Sequence, residues 1–451
     1  MNRRKNFGMV LAVCVFLVPL AGPATGRTIY VDPNGSADFT TIQAAIDDAN
    51  DEDEIEVGPG TYNEAINFIG KAVTVRSSNP NDPNIVAATV IDGTGHYHVV
   101  QCVSGEGPNT VLSGFTITGG YANGPDPNDQ RGGGMLCASS SPTVTDCNFT
   151  GNQAGRGGGM YCDYSSPIVA DCIFTYNSGE LGGGGMYNYV SSPTLTNCIF
   201  TYNSTAYGGG IFNIGTSGPT VTNCIFSNNT ASNWGGGMYS NGTSPTVTNC
   251  TFSANSAASG GGTFNNNSSP TVTNCILWGD EPDEIYNSSS SPIVSYSDVD
   301  CEPVYPGTGN INTAPCFVDA DANDFRLLYS SLCIDAGENN SVPADRADLD
   351  GDGNTVEPTP LDLGGLPRFV DDLCTGDTGN GAPPVVDMGA HEYLAADIDG
   401  SGAVDLRDLC EFALHWGESG CDRCGGANMD CDGDVDWNDL RELTAWWLAG
   451  K

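Results

Sequence analysis

A cysteine closes a Ser-Pro-Thr-Val-Thr-Asn-Cys-like segment at positions 147, 172, 198, 224, 250 and 275. A period of 25 or 26 residues held through six units leaves few folds open. Five residues after each of the first five cysteines stands an asparagine: Asn152, Asn177, Asn203, Asn229 and Asn255. Triple-glycine blocks recur in step, starting at Gly132, Gly157, Gly183, Gly208, Gly235 and Gly260. Within a unit, short β-branched and aromatic runs such as Val221 to Phe226 are bounded by Pro219 and Asn229, which marks strands and corners. A unit this short cannot bury its own apolar side. Stacking solves the problem, because like residues then sit over like residues about 4.8 Å apart and form one continuous core.

The paired signals Phe-x-x-Asn (Phe149 to Asn152, Phe174 to Asn177, Phe200 to Asn203, Phe226 to Asn229, Phe252 to Asn255) and Gly-Gly-Gly-Met/Ile resemble the repeats of polymorphic outer-membrane proteins. The resemblance covers roughly residues 110–300 and implies a right-handed parallel β-helix, an all-β class that also contains pectate lyases and polygalacturonases. In such a stack the asparagines are expected to hydrogen-bond from coil to coil. The cysteines are expected to form a small apolar core column, since a linear file does not converge on a metal. The glycine blocks lack the strand-to-helix setting of a phosphate loop.

Arg3, Arg4 and Lys5, the apolar run Phe7 to Leu20 and Ala24-Thr25-Gly26 read as an export leader over residues 1–26. The run is too short for a comfortable membrane span, so the mature chain is expected to have none and to be secreted or held at the cell surface. Ile42, Ala45, Ile46 and Ala49 have helical spacing, which predicts a short cap helix within Phe39 to Asn50. With Pro59-Gly60-Thr61-Tyr62 this segment resembles the start of pectin-acting β-helix enzymes and their non-enzymatic relatives. The solenoid with its cap is assigned to residues 27–300. His96 and His98, flanking Tyr97, are read as structural. With 55 Asp and Glu against 15 Lys and Arg, the chain disfavours nucleic acid and favours calcium. Seventeen cysteines follow the leader, so at least one stays unpaired or pairs between chains.

Residues 301–395 are expected to close the solenoid with acidic loops. Cys333-Ile-Asp-Ala-Gly and Val386 to Tyr393 resemble a segment that ends many exported bacterial β-helix proteins. Asp348, Asp350 and Asp352 alternate before Gly353 and form a weaker calcium candidate without a twelfth-position acid. Residues 396–451 carry sharper chemistry. Asp397, Asp399, Ser401, Asp405 and Asp408 occupy loop positions 1, 3, 5, 9 and 12, with a backbone carbonyl from Ala403 at position 7 and Gly402 at the turn. Asn428, Asp430, Asp432, Asp434, Asp436 and Asp439 repeat the layout, and an apolar-spaced helix follows each loop. The pair resembles a dockerin, a small all-α module, which implies calcium as cofactor and a cohesin-like partner. Dockerins commonly read cohesin through Ser-Thr at positions 10 and 11. Leu406-Arg407 and Trp437-Asn438 stand there instead and put ordinary cohesin recognition in doubt. Cys410, Cys421, Cys424 and Cys431 are candidates to staple the module, with zinc as the alternative.

Two functional readings compete. Lyases of the β-helix class use calcium with an Arg or Lys base, yet no Lys, Arg or His stands between Gly157 and Phe325. Arg131 and Arg156, one repeat apart, are the remaining basic candidates, and Asp146 and Asp171, one coil apart, are the carboxylate pair a glycosidase would need. Later coils carry Asn197, Asn223, Asn249 and Asn274 at the latter position, so a polar ladder is the simpler reading. The binding reading rests on Tyr161, Tyr187, Phe212, Tyr239 and Phe264, which follow the glycine blocks beside Met160, Met186, Ile211, Met238 and Thr263. Strand alternation sends one file inward and its neighbour outward. If the methionines point in, the aromatics form an outward strip suited to a polysaccharide, a cell-surface glycan or a protein. The expected function is an exported adhesive or carbohydrate- or protein-binding protein, with a carbohydrate-active enzyme, lyase or glycoside hydrolase, as the alternative.

Overall fold

The computed structural model describes residues 26–95, 98–216, 218–421 and 423–448. The expected export leader and His96 lie outside the described residues, apart from Gly26. The chain coils into a parallel β-helix walled by sheets of eleven, ten and nine strands. One turn runs Thr194–Thr196, Ile199–Thr201, Ser204–Tyr207 and Ile211–Ile214 before Thr220–Thr222 begins the next. In the three walls, repeats pair in register with the next: Val169 on Leu195, Phe174 on Phe200 and Met160 on Met186. A fourth sheet of five strands, among them Gln153–Arg156, Ser178–Gly182, Ser204–Tyr207 and Thr230–Trp234, lies between the ten- and nine-stranded walls.

Register converts each repeated residue into a column. Phe149, Phe174, Phe200, Phe226 and Phe252 stack inside the core with ring centroids 4.5–5.0 Å apart. Cys147, Cys172, Cys198, Cys224, Cys250 and Cys275 are buried free thiols in the same core, with no disulfide along the file. The asparagine column is buried and fully wired. Asn203 Oδ1 accepts from Asn177 N and Nδ2 at 3.0 and 3.1 Å, and Asn203 Nδ2 donates to Phe174 O at 2.8 Å. The column ends on Asp280, whose Oδ1 accepts from Asn255 N and Nδ2. Glycine is required at the blocks: Gly183 sits at φ +60°, and a Cβ on Gly184 would lie 2.6 Å from Gly209 O in the next coil.

Helix α1 (Ile42–Asp48), shorter than the periodicity suggests, covers the open first coil with Ile42, Ala45 and Ile46 buried. Lys71 Nζ closes its end by donating to the carbonyls of Ile46, Asp47 and Ala49 at 2.7–2.8 Å. Helix α2 (Pro83–Ala88) was not foreseen. Asp82 caps it, Pro83 opens it, and six residues are too few for an apolar stripe to show. Beyond residue 300 the chain makes one antiparallel pair, Phe317–Asp319 with Asp324–Leu327, and then little regular structure. This stretch does more than close the end. It lies along the solenoid's flank, with Asn223 Nδ2 donating to Leu361 O, Asn249 Nδ2 to Asp387 O and Gly389 N to Asn274 O.

Helices α3 (Leu406–His415) and α4 (Trp437–Leu448) follow the two acidic loops. Their core joins Phe412 and Leu443 to Leu366, Val370 and Leu394, so side chains from before residue 396 complete it. The cysteine expectation is corrected in part for the same reason. Cys421 pairs with Cys424, but Cys431 pairs with Cys374, outside the last 56 residues, and Cys410 is an exposed free thiol.

Candidate functional site

Arg131 and Arg156 are bridge partners on adjacent coils at the mouth of a recess of about 390 Å³, lined also by Tyr161, Asp163, Tyr164, Tyr187 and Tyr189. Arg131 is committed: Nη1 pairs with Asp163 Oδ2 at 2.9 Å, and its guanidinium lies 5.4 Å from the Tyr161 ring centroid. Arg156 forms no ion pair among the described residues and is hydrogen-bonded to the Tyr187 phenol. Burial pushes that phenol up and the Arg156 charge opposes the shift. Tyr164 and Tyr189 meet edge to face at 5.7 Å and are 61% and 37% exposed. The recess thus offers two open rings, a phenol row and one guanidinium that no carboxylate holds among the described residues.

The aromatic strip needs correction. Met160, Met186, Ile211 and Met238 do face the core, and Tyr161, Tyr187, Phe212, Tyr239 and Phe264 face away from it. The aromatics are nevertheless only 2–7% exposed. Residues of the fourth sheet cover them: Tyr207 packs on Phe212 and Tyr239, and Trp234 stacks on Phe264. Alternation decides the face of a strand but not what the next segment lays over it. The open rings of the recess are instead Tyr164 and Tyr189, three and two residues beyond Tyr161 and Tyr187.

Asp146 and Asp171 lie apart from this recess, on a shallower depression of about 210 Å³ beside Pro80, Pro83 and Asn148. Both sit in the left-handed region, at φ 55° and 51°, as do Asn197, Asn223, Asn249 and Asn274 at φ 51–55°. That corner favours Asn and Asp because their short polar side chains tolerate it. Asp171 Oδ1 accepts from Asn197 Nδ2 at 3.1 Å, and Asn197 Oδ1 from Asn223 Nδ2 at 3.1 Å, so the pair continues a side-chain ladder. Burial, chiefly, and the Asp146 charge push Asp171 up to about 6. A carboxyl raised on folding keeps its proton longer in the folded chain, so folding is favoured by acid and weakened as pH rises from about 4 through 6. Because Asp171 is exposed at the surface, solvent screens most of this effect, and Asp171→Asn should raise the melting temperature at pH 7.5 only slightly while flattening its fall between pH 5 and 7.5. Melting curves of both proteins across that range check this.

The acidic loops hold the remaining chemistry. In the first, one oxygen each from Asp397, Asp399 and Asp408 lie within 4.8 Å of one another. Asp408 receives Asp399 N and Asp405 N at 3.1 and 2.7 Å, and Gly402 turns at φ +89°. The second loop repeats this wiring: Asp439 receives Asp430 N and Asp436 N at 3.2 and 2.8 Å, with Gly433 at φ +99°. All-oxygen donors gathered around a glycine turn fit a hard cation such as calcium. Ser401 donates to Asp397 and Asp399, and Asp432 and Asp434 lie on the exposed rim of the second loop. For the earlier candidate, Asp348, Asp350 and Asp352 do converge. Asp345 and Glu357 also approach Asp350, supplying from outside the motif the carboxylates its spacing lacks. No local pattern marks those two, since a turn brings them in.

Residues 97–226 and 207–302 match the family model of the right-handed β-helix region, so the solenoid is of that class. No curated protein matches the chain. Among solved structures, pectate lyase Pel9A is similar with a TM-score of 0.43 and 15% identity over 82% of this chain and 97% of that one. Pectin methylesterase from carrot follows at 0.37 and 12%, over 65% and 86%, and a rhamnogalacturonan lyase at 0.33 and 12%, over 65% and 91%. No helix among the described residues is long and apolar enough to cross a membrane.

Proposed function

We propose that this is an exported, extracellular or cell-surface β-helix protein that binds a glycan without cleaving it, and that its C-terminal helix pair is a dockerin-like calcium module for attachment. The carrying observation is the recess where exposed Tyr164 and Tyr189 stand beside Arg156. Sugar rings stack on open aromatic faces and take hydrogen bonds from a guanidinium that no carboxylate already holds. The chain's acidity weighs against long polyanions, so a neutral or sparsely charged polysaccharide is the ligand class. In the module, bound calcium would neutralise the loop carboxylates of Asp397, Asp399 and Asp408 and of Asp430, Asp432 and Asp439. Its positions 10 are apolar and open: Leu406 is 64% and Trp437 72% exposed. A cohesin-like partner would have to meet an apolar face there, not the usual hydroxyl pair.

The second reading, a carbohydrate-active enzyme, is favoured by one observation, the Asp146 and Asp171 pair with one member raised to about 6. Binding and cleavage separate in one experiment with the purified chain and a panel of plant, algal and microbial polysaccharides. Tyr164→Ala with Tyr189→Ala should weaken retention at least tenfold with an unchanged melting temperature, and no new reducing ends or unsaturated uronides should appear. Product release abolished by Asp171→Asn would replace the binding reading with the enzymatic one.

A further inference from the structure

The acidic loops do not account for Asp335. This residue is 0% exposed, and neither carboxylate oxygen has a hydrogen-bond partner. Its backbone is held on both sides: its N–H donates to Asp387 Oδ1 at 2.7 Å, and its carbonyl accepts from Thr378 N and Gly379 N at 3.0 and 3.1 Å. Those last two bonds place the end of the 371–377 loop against it. One oxygen each from Asp335, Asp371 and Asp377 then lie within 4.8 Å of one another. Calcium takes carboxylate oxygens at about 2.4 Å, so oxygens sharing one ion are separated by no more than about 4.8 Å.

The nearby cations are already engaged. Arg423 pairs with Asp372, and Arg368 with Glu392. A buried carboxylate without a donor has two ways out, a proton or a cation. Without an ion, burial and the charges of Asp387, Asp372, Asp371 and Asp377 push Asp335 up to about 8. Asp371 and Asp377 are exposed, which leaves an ion a path in from solvent.

We propose that Asp335, Asp371 and Asp377 form a calcium site separate from the dockerin-like loops, and that it clamps the joint between the solenoid's flank and the C-terminal helix pair. Ile334, next to Asp335, packs with Ile276 of the last coils. The 371–377 loop carries Cys374, bonded to Cys431 inside the second acidic loop. An ion here therefore joins the stack to the chain that the disulfide ties to the module.

Calcium itself is the probe, titrated into the full chain after stripping with chelator, with equivalents counted by equilibrium dialysis. Asp371→Asn with Asp377→Asn should bind one equivalent fewer than the wild type. Asp397→Asn with Asp399→Asn should lose a different one, and the combined variant should lose both. Should the loop variant lose nothing, the dockerin-like reading fails while this site stands. Asp335→Asn guards against a folding defect. It removes a buried carboxyl that has no hydrogen-bond donor, so in chelator it should melt at or above the wild type while still lacking one equivalent. An unchanged count in both Asp335→Asn and the Asp371 and Asp377 variant overturns the site.

Discussion

Replacing Asn203 by leucine should cost the solenoid about 3–5 kcal/mol, although the two side chains share one branched heavy-atom skeleton. The change leaves Asn177 N without an acceptor and takes the Nδ2 donor from Phe174 O. It also removes one partner of Asn177 Nδ2. Each buried polar group stranded in this way costs about 1–3 kcal/mol, and no water replaces the partner inside a filled column. Denaturant unfolding followed by circular dichroism at fixed calcium measures the loss. A loss under about 1 kcal/mol would mean that the column is hydrated and not an element of the core.

Arg368→Met should separate the C-terminal segment from the coils. Arg368 is fully buried, pairs with Glu392 at 3.0 Å and donates to Asn223 Oδ1 at 2.8 Å and to the carbonyls of Gly389 and Ala390 at 3.1 Å. Removing one member of a buried ion pair typically costs about 3–5 kcal/mol, because the other charge is left without compensation. The segment spanning 328–395 has little backbone pairing of its own and depends on such docking contacts. Limited proteolysis should therefore cut it early in the variant while the coils stay intact, and melting should split into two steps. Adding Glu392→Gln should recover part of the loss, since the uncompensated carboxylate is then gone. One cooperative transition with the wild-type midpoint would show that apolar packing, not this pair, holds the segment in place.

These two expectations differ in how they could be reached. Asn203 was visible from its spacing alone, because a polar residue returning every 25 or 26 residues in a stacked chain must meet its own copies. The same argument identified the cysteine column, and local spacing marked the two acidic loops, whose carboxylates fall within twelve consecutive residues. Arg368 had no such signal. It stands outside the repeat, and its partners Asn223 and Glu392 are 145 and 24 residues away. The aromatic file shows the boundary between the two cases. Alternation put Tyr161 and Tyr187 on the face opposite the methionines, yet which face points outward, and whether it meets solvent, depended on packing and on the fourth sheet, whose strand Gln153–Arg156 carries a register shift between Ala154 and Arg156.

By itself, then, the sequence determined the coil, its period and the residues that stack, because these follow from local pattern multiplied by translation. It also marked the acidic loops at the end, because their carboxylates are close in the chain. The tertiary structure alone decided that Tyr164 and Tyr189 are the open rings of the recess, and that Asp345 and Glu357 join Asp350. It alone left Asp335 buried opposite Asp371 and Asp377 with no donor. The physical reason is range. A periodic stack repeats one set of neighbours that sequence spacing specifies, whereas an irregular segment folding back on that stack makes contacts whose cost and gain depend on groups brought together only by docking.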